Sequence, residues 1–198
     1  MNTARVWIFR ALVLIGAGTF VYSFFAPWWI ARCSSAVAGD GDVIVHPYGL
    51  DDGGFGGYFV LMPDQGSEVA VPDWLIILIW VFFGAALLGL LLGIIFNKKT
   101  IPLFGKNLNI SRWAVGLVGI LYLLVAGAGM AFAYSKINAL GLPFIGNAWV
   151  DLGNFAMWKI ELDVTAWIPF GYYLALGTGV YLLLLGIFRN LIVGKSAE

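Results

Sequence analysis

The sequence predicts an all-α membrane protein: a four-transmembrane-helix bundle with a small extracytoplasmic antiparallel β-cap formed by the two outer loops. Three observations predict it. The 198 residues are 61% hydrophobic and 11% charged, whereas soluble domains carry about 25% charged residues. Four apolar runs each hold roughly the 20 residues that cross a bilayer's hydrocarbon core. The stretch Trp158–Val164, WKIELDV, alternates apolar and charged residues without a slip. The expected organisation is a single integral membrane domain over 1–198. Its spans fall at 11–30, 74–96, 113–134 and 166–188, its outer loops at 31–73 and 135–165, and a cytoplasmic loop at 97–112. Eleven basic and eleven acidic residues balance, which gives no reason to expect nucleic acid as a partner.

The first run, Ala11–Ile30, follows Arg5 and Arg10 and precedes the triplet Ala36–Ala38, AVA. That arrangement imitates a signal peptide, but the apolar stretch is too long for a signal's core, so it reads as a retained span. A lipoprotein reading fails because Arg32, beside Cys33, stands where a small residue is required. The runs Trp74–Phe96, Trp113–Tyr134 and Ala166–Phe188 complete the set, and none of the four contains Asp, Glu, Lys, Arg or His. Pro27 and Pro169 sit near helix ends, where a lost backbone bond costs least.

Charge orients the spans. Arg5, Arg10, Lys98, Lys99, Lys106, Arg112, Arg189 and Lys195 fall on one side, and Arg32, Lys136 and Lys159 on the other. The excess of Lys and Arg on cytoplasmic loops then places both termini and the 97–112 loop inside. The acidic residues sort in the same sense: all but Glu198 lie in the two outer loops. Asn109–Ser111, a glycosylation acceptor by pattern, would face inward and stay unmodified. Trp28, Trp29, Trp74, Trp113 and Trp167 fall at span ends, where indole rings anchor in the headgroup region.

Both outer loops are long for plain connections. In the first, β-rich runs at Val43–Val45, Tyr58–Met62 and Glu68–Val71 alternate with Gly, Asp and Pro breakers, a pattern of strands and tight turns. In the second, period-two alternation sets Trp158, Ile160, Leu162 and Val164 on one face and Lys159, Glu161 and Asp163 on the other. A lone strand is unstable in water, so the two loops are expected to join in one sheet. Within the spans, Ala85, Gly89 and Gly93 recur at spacings of four, as do Gly171, Ala175 and Gly179. Such small-residue faces let helix backbones approach in lipid, for internal packing or for docking to another subunit.

The search for chemistry is mostly negative. The spans hold no ionisable residue of the kind that builds ion pathways, and the one histidine, His46, lies in the first outer loop, so a bundle haem lacks its usual ligand. No cofactor is expected. Gly53–Tyr58, GGFGGY, lacks the strand–loop–helix setting of a phosphate cradle. His46 with Asp51 and Asp52 is the one candidate metal-ligating group, to be weighed against an ordinary loop histidine. Cys33, the one cysteine, reads as a buried or interfacial thiol; no catalytic residue is assigned.

Four spans with both ends inside, a long β-rich first outer loop and a shorter second one resemble the tetraspan plan of the claudin and PMP22 superfamily. The residues that carry the likeness are Trp28, Trp29 and Cys33 in PWWIARC. The resemblance implies a first loop with a Trp and two mutually paired cysteines; with a single cysteine here, that pair cannot form. It is a likeness of architecture and carries no function.

The function expected from these residues is that of a non-catalytic integral membrane accessory or scaffold subunit, in a respiratory or other membrane enzyme complex. Its partners would be the lipid bilayer and other integral membrane subunits, or further copies of itself, in the plasma (cytoplasmic) membrane. Two alternatives stand beside it. One is a small transporter or channel for an uncharged solute, lined by Thr19, Ser23, Tyr122, Thr178 and Tyr181. The other is an outer-face metal-dependent enzyme component using His46 with Asp51, Asp52 or Glu161.

Overall fold

A computed structural model describes residues 3–35, 39–51, 71–96, 100–103, 106–139, 141–155 and 158–194; of these, 100–103, 106–108, 152–155 and 158–160 are described by backbone alone. Four helices are long and apolar enough to span a membrane: α1 (Thr3–Phe25), α2 (Asp73–Ile95), α3 (Ile110–Ala139) and α4 (Phe170–Val193). At a rise of about 1.5 Å per residue, even the shorter ones exceed the roughly 30 Å of a hydrocarbon core. Seven strands accompany them among the described residues: β1 (Trp29–Ser35), β2 (Gly39–His46), β3 (Gly49–Asp51), β4 (Thr100–Leu103), β5 (Lys106–Asn109), β6 (Gly146–Phe155) and β7 (Trp158–Trp167).

The helix ends have local causes. α1 stops at Phe25 because Pro27 cannot donate and disfavours helical backbone at Ala26. The expected first span is corrected accordingly: Ala26–Ile30 leaves the helix, and Trp29 opens β1. α3 begins under a side-chain cap, with the Arg112 amide donating to Asn109 Oδ1 at 3.1 Å. It ends in a Schellman turn. The Gly141 amide donates to Asn138 O and the Leu142 amide to Ile137 O, with Gly141 at φ 69°. The helices run past the apolar runs that announced them. Arg5 and Arg10 lie in α1, Arg112 and Lys136 in α3, and Arg189 in α4.

Two compact units share the chain. One comprises Met1–Phe24, Leu78–Ala126 and Tyr173–Glu198. Here the helices pack around a cluster of rings. Phe20 meets Phe83 (stacked, 5.5 Å between centroids) and Tyr122 (edge-on, 4.6 Å), and Phe24 stacks on Phe83 at 4.2 Å. Such pairs add about 0.5–1.5 kcal/mol each beyond area burial. α3 and α4 touch backbone to backbone, since a methyl built on Gly186 would fall 2.6 Å from Gly116 Cα. Ser111 Oγ donates to the Gly93 carbonyl at 2.6 Å, and Arg10 Nε to the next carbonyl, Ile94, at 3.1 Å. The loop expected at 97–112 holds an antiparallel hairpin, β4–β5, pairing Thr100 with Asn109 and Leu103 with Lys106.

The other unit comprises Phe25–Ile77 and Gly127–Tyr172. It holds a five-stranded antiparallel sheet in the order β3-β2-β1-β7-β6. Both loops contribute, as their patterns implied. The first supplies β1, β2 and β3. Of its expected runs, Val43–Val45 lies in β2, while Tyr58–Met62 and residues 68–70 of the last run lie outside the described residues. The second loop supplies β7, which contains WKIELDV, and also β6, which alternation did not announce. β7 pairs with both loops at once: Cys33↔Val164 on β1 and Val150↔Leu162 on β6.

One sheet face is dry. Trp29, Ala31, Cys33, Val43, Leu162, Val164 and Ala166 pack with Ala133 and Ile137 of α3 and with Leu142. This is the burial that the alternation of β7 required, because a strand's apolar face must be covered by another element. Leu162 and Val164 are buried as the pattern placed them; for Trp158 and Ile160 only the backbone is described. The belt assignment of two tryptophans is corrected. Trp28 and Trp29 are 3% and 1% exposed, and the Trp29 indole donates to Phe144 O at 2.7 Å while its ring stacks on Phe144. They are core residues, whereas Trp74 and Trp113 are exposed.

Candidate functional site

The opposite face of the sheet is polar, and strand register decides its composition. Because side chains alternate, a residue and its cross-strand partner share a face. One row runs Asp40, Ser34, Asp163, Trp149 across β2, β1, β7 and β6. The next runs Asp42, Arg32, Thr165, Asn147. Asp51 shares a row with Ile44, and Asp151 stands opposite Glu161. Among the described side chains this face therefore gathers six carboxylates, at 40, 42, 51, 151, 161 and 163, against the one guanidinium of Arg32. Arg32 is already engaged, with its Nε 3.1 Å from Asp42 Oδ1, and that hydrogen bond raises its pKa. Trp149 stands out on the same face with 73% of its surface exposed. Both outer loops are acidic by composition; that these six acids share one face follows from register alone.

The candidate metal residues sit close to this face. His46 ends β2 and Asp51 ends β3, two positions apart in the ladder, and Asp52 lies outside the described residues. Among the described residues no three of His, Cys, Asp and Glu group as a metal site. The His46 ring stacks on Tyr48 at 5.0 Å and 15°, and its Nδ1 is buried with no hydrogen-bond partner among the described residues. Glu161, the further residue of the outer-face enzyme reading, lies on β7, two strands away from β2. His46, Asp51 and Glu161, the described members of that reading, do not form such a group.

The polar groups of the helices are spent locally. Thr19 Oγ1 donates to Gly16 O at 3.0 Å and Tyr181 OH to Leu12 O at 2.9 Å. Ser23 Oγ donates to Phe20 O at 3.1 Å and lies 2.7 Å from Tyr122 OH. Thr178 Oγ1 is the exception among the five, buried and without a hydrogen-bond partner among the described residues. Tyr122→Phe is expected to cost about 1 kcal/mol of unfolding free energy, the typical net worth of one such bond. Thermal denaturation in detergent measures it. A loss of solute flux in liposomes without a loss of stability would instead mark Tyr122 as part of a conducting lane.

The small residues divide in their use. A methyl built on Gly93 would meet Val115 at 2.7 Å, one on Gly89 would meet Val118 at 3.0 Å and one on Gly179 would meet Leu123 at 2.7 Å. One on Gly171 would strike the Pro27 carbonyl, and Ala175 is fully buried. These positions lie against the protein's own side chains and backbone, whereas Ala85 is exposed. Arg189, a loop cation by its place in the sequence, is fully buried and donates to Asn190 Oδ1 at 3.1 Å. No local signal separates it from the exposed arginines.

Cys33 lies in the dry face with no exposed surface. Burial pushes its thiol up from 9.0 to about 11, with a smaller contribution from Asp42. It is therefore expected to resist maleimide at neutral pH until the protein is unfolded. The folded state holds the thiol proton more tightly than the unfolded chain does. Stability that is present below pH 9 is thus lost as pH climbs toward 11. A Cys33→Ala variant should lack that alkaline slope in a pH series of melting temperatures. No family model matches the chain, and no curated protein matches it.

Proposed function

We propose that the protein is a non-catalytic accessory or scaffold subunit of a membrane assembly, seated in the plasma (cytoplasmic) membrane with both termini cytoplasmic. The observation that carries the reading is the contrast between the two units. Thr19, Ser23, Tyr122 and Tyr181 use their polar groups on neighbours within the helical unit. The sheet, by contrast, carries an acidic face with an exposed tryptophan. Exposed polar and aromatic groups on a rigid scaffold make a recognition surface. Four apolar helices supply the lipid-facing body, on which Trp74, Val81, Leu88 and Ile95 of α2 are more than half exposed. The eight-to-three distribution of Lys and Arg supports the orientation.

Purification of the native protein from its membrane in mild detergent tests the proposal. Stoichiometric recovery with the subunits of another membrane protein is the expected result. A clean monomer that moves an uncharged solute into liposomes would overturn it. The buried hydroxyl of Thr178, without a hydrogen-bond partner among the described residues, is the observation that favours such a conducting role.

A further inference from the structure

We infer that Arg10 and Arg112 bind the phosphate of an anionic phospholipid, at the end of the helical unit where α1 and α3 begin and α2 and α4 finish. The inference goes beyond the accessory role and holds with or without a protein partner. Charge motivates it. The sequence of this unit includes eight Lys and Arg but a single acid, Glu198; every other acid belongs to the sheet-bearing unit. That count covers the residues outside the described set as well, so none of them brings this unit a second acidic side chain. One carboxylate does not balance eight cations. The headgroups that surround four apolar helices are the nearest further source of negative charge.

Packing brings the two arginines to one place. Arg10 Nε donates to the Ile94 carbonyl at 3.1 Å, and Ser111 Oγ to the preceding carbonyl, Gly93, at 2.6 Å. Consecutive carbonyls of a helix lie side by side, so Arg10 and the start of α3 flank the same last turn of α2. Arg112 follows Ser111 and is exposed; its amide, not its guanidinium, makes the cap with Asn109. Arg189 is buried three residues past Gly186, whose added methyl would lie 2.9 Å from Arg112 O, and it adds a fixed positive charge behind Arg112. Arg10 is also held at a defined depth. Its guanidinium carbon lies 5.2 Å from the centroid of the Trp7 ring, and Trp7 is 62% exposed. Indole rings settle at headgroup level, so this contact sets the guanidinium beside lipid phosphates. The bond to Ile94 is made by Nε, and the Nη nitrogens carry donors suited to the paired oxygens of a phosphate. Phosphatidylcholine balances its phosphate with its own ammonium group, whereas an anionic lipid leaves its charge to the arginines.

The test is native mass spectrometry of the full-length protein in mild detergent, titrated with phosphatidylglycerol and phosphatidylcholine of identical acyl chains. Phosphatidylglycerol is expected to be retained roughly tenfold better. Arg10→Gln and Arg112→Gln should each lower that preference roughly fivefold, the worth of one arginine beside a charged headgroup. Arg5→Gln removes the same charge from another face of α1 and should keep the preference. Arg10→Gln also loses the bond to Ile94 O. Arg112→Gln keeps the Asn109 cap, which uses the amide, so it decides the matter even if the first variant unfolds. Four results would each overturn the site: equal retention of the two lipids, an undiminished preference in Arg112→Gln, an equal loss in Arg5→Gln, or displacement of phosphatidylglycerol by an equal concentration of free glycerol phosphate, which marks a site for a soluble anion.

Discussion

Gly119→Ala is expected to destabilise the helical unit by about 1–3 kcal/mol, the usual cost of forcing a methyl into a packed core. The added Cβ would strike the Leu183 amide nitrogen and lie 2.8 Å from Gly179 O and 3.0 Å from Leu182 C. Every obstacle is backbone, so no rotamer change relieves the clash, and α3 must move away from α4. In lipid this close approach is itself the source of affinity between helices, because no hydrophobic drive replaces it. Gly186→Ala should behave alike, since its Cβ would fall 2.6 Å from Gly116 Cα. Gly84→Ala is the control: among the described residues nothing lies within 4 Å of the added methyl, and the greater helix propensity of alanine favours it. Melting temperatures in one detergent compare the three. Equal tolerance of alanine at 84 and 119 would refute the packing described.

Trp29→Ala is expected to cost about 3–5 kcal/mol, the range for removing a large buried ring. Trp29 is 1% exposed in the sheet core. Its loss opens a void against Phe144 and leaves the Phe144 carbonyl without the indole donor. Trp29→Phe separates the two effects, because it keeps most of the apolar area and removes the N–H; its cost should be about 1–3 kcal/mol, that of an unsatisfied buried acceptor. Cys33 shares β1 and its dry face with Trp29, so maleimide labelling reports opening at that strand only. Hydrogen exchange across β1 and β7 follows the opening of the sheet more widely. If Trp29→Ala melts and exchanges like the parent protein, Trp29 does not hold the sheet.

The number of the helices and their approximate positions were legible because a bilayer reads length and apolarity, which are properties of a local stretch; their ends were not, as Thr3–Phe25 and Phe170–Val193 show. The facing of β7 was legible for the same reason, since WKIELDV alternates within itself. Tertiary structure decided the rest. β6 was hidden because Trp149, its most conspicuous residue, faces outward. β1 was hidden because Trp29 follows an apolar run so closely that it reads as a membrane anchor, until Pro27 ends the helix. Arg189 looked like any loop cation and proved buried. The acidic face exists only through register: Ser34 of the first loop becomes the neighbour of Asp40 on one side and of Asp163, from the second loop, on the other. Pairing between distant strands depends on which side chains fit opposite one another, and no local pattern records that choice.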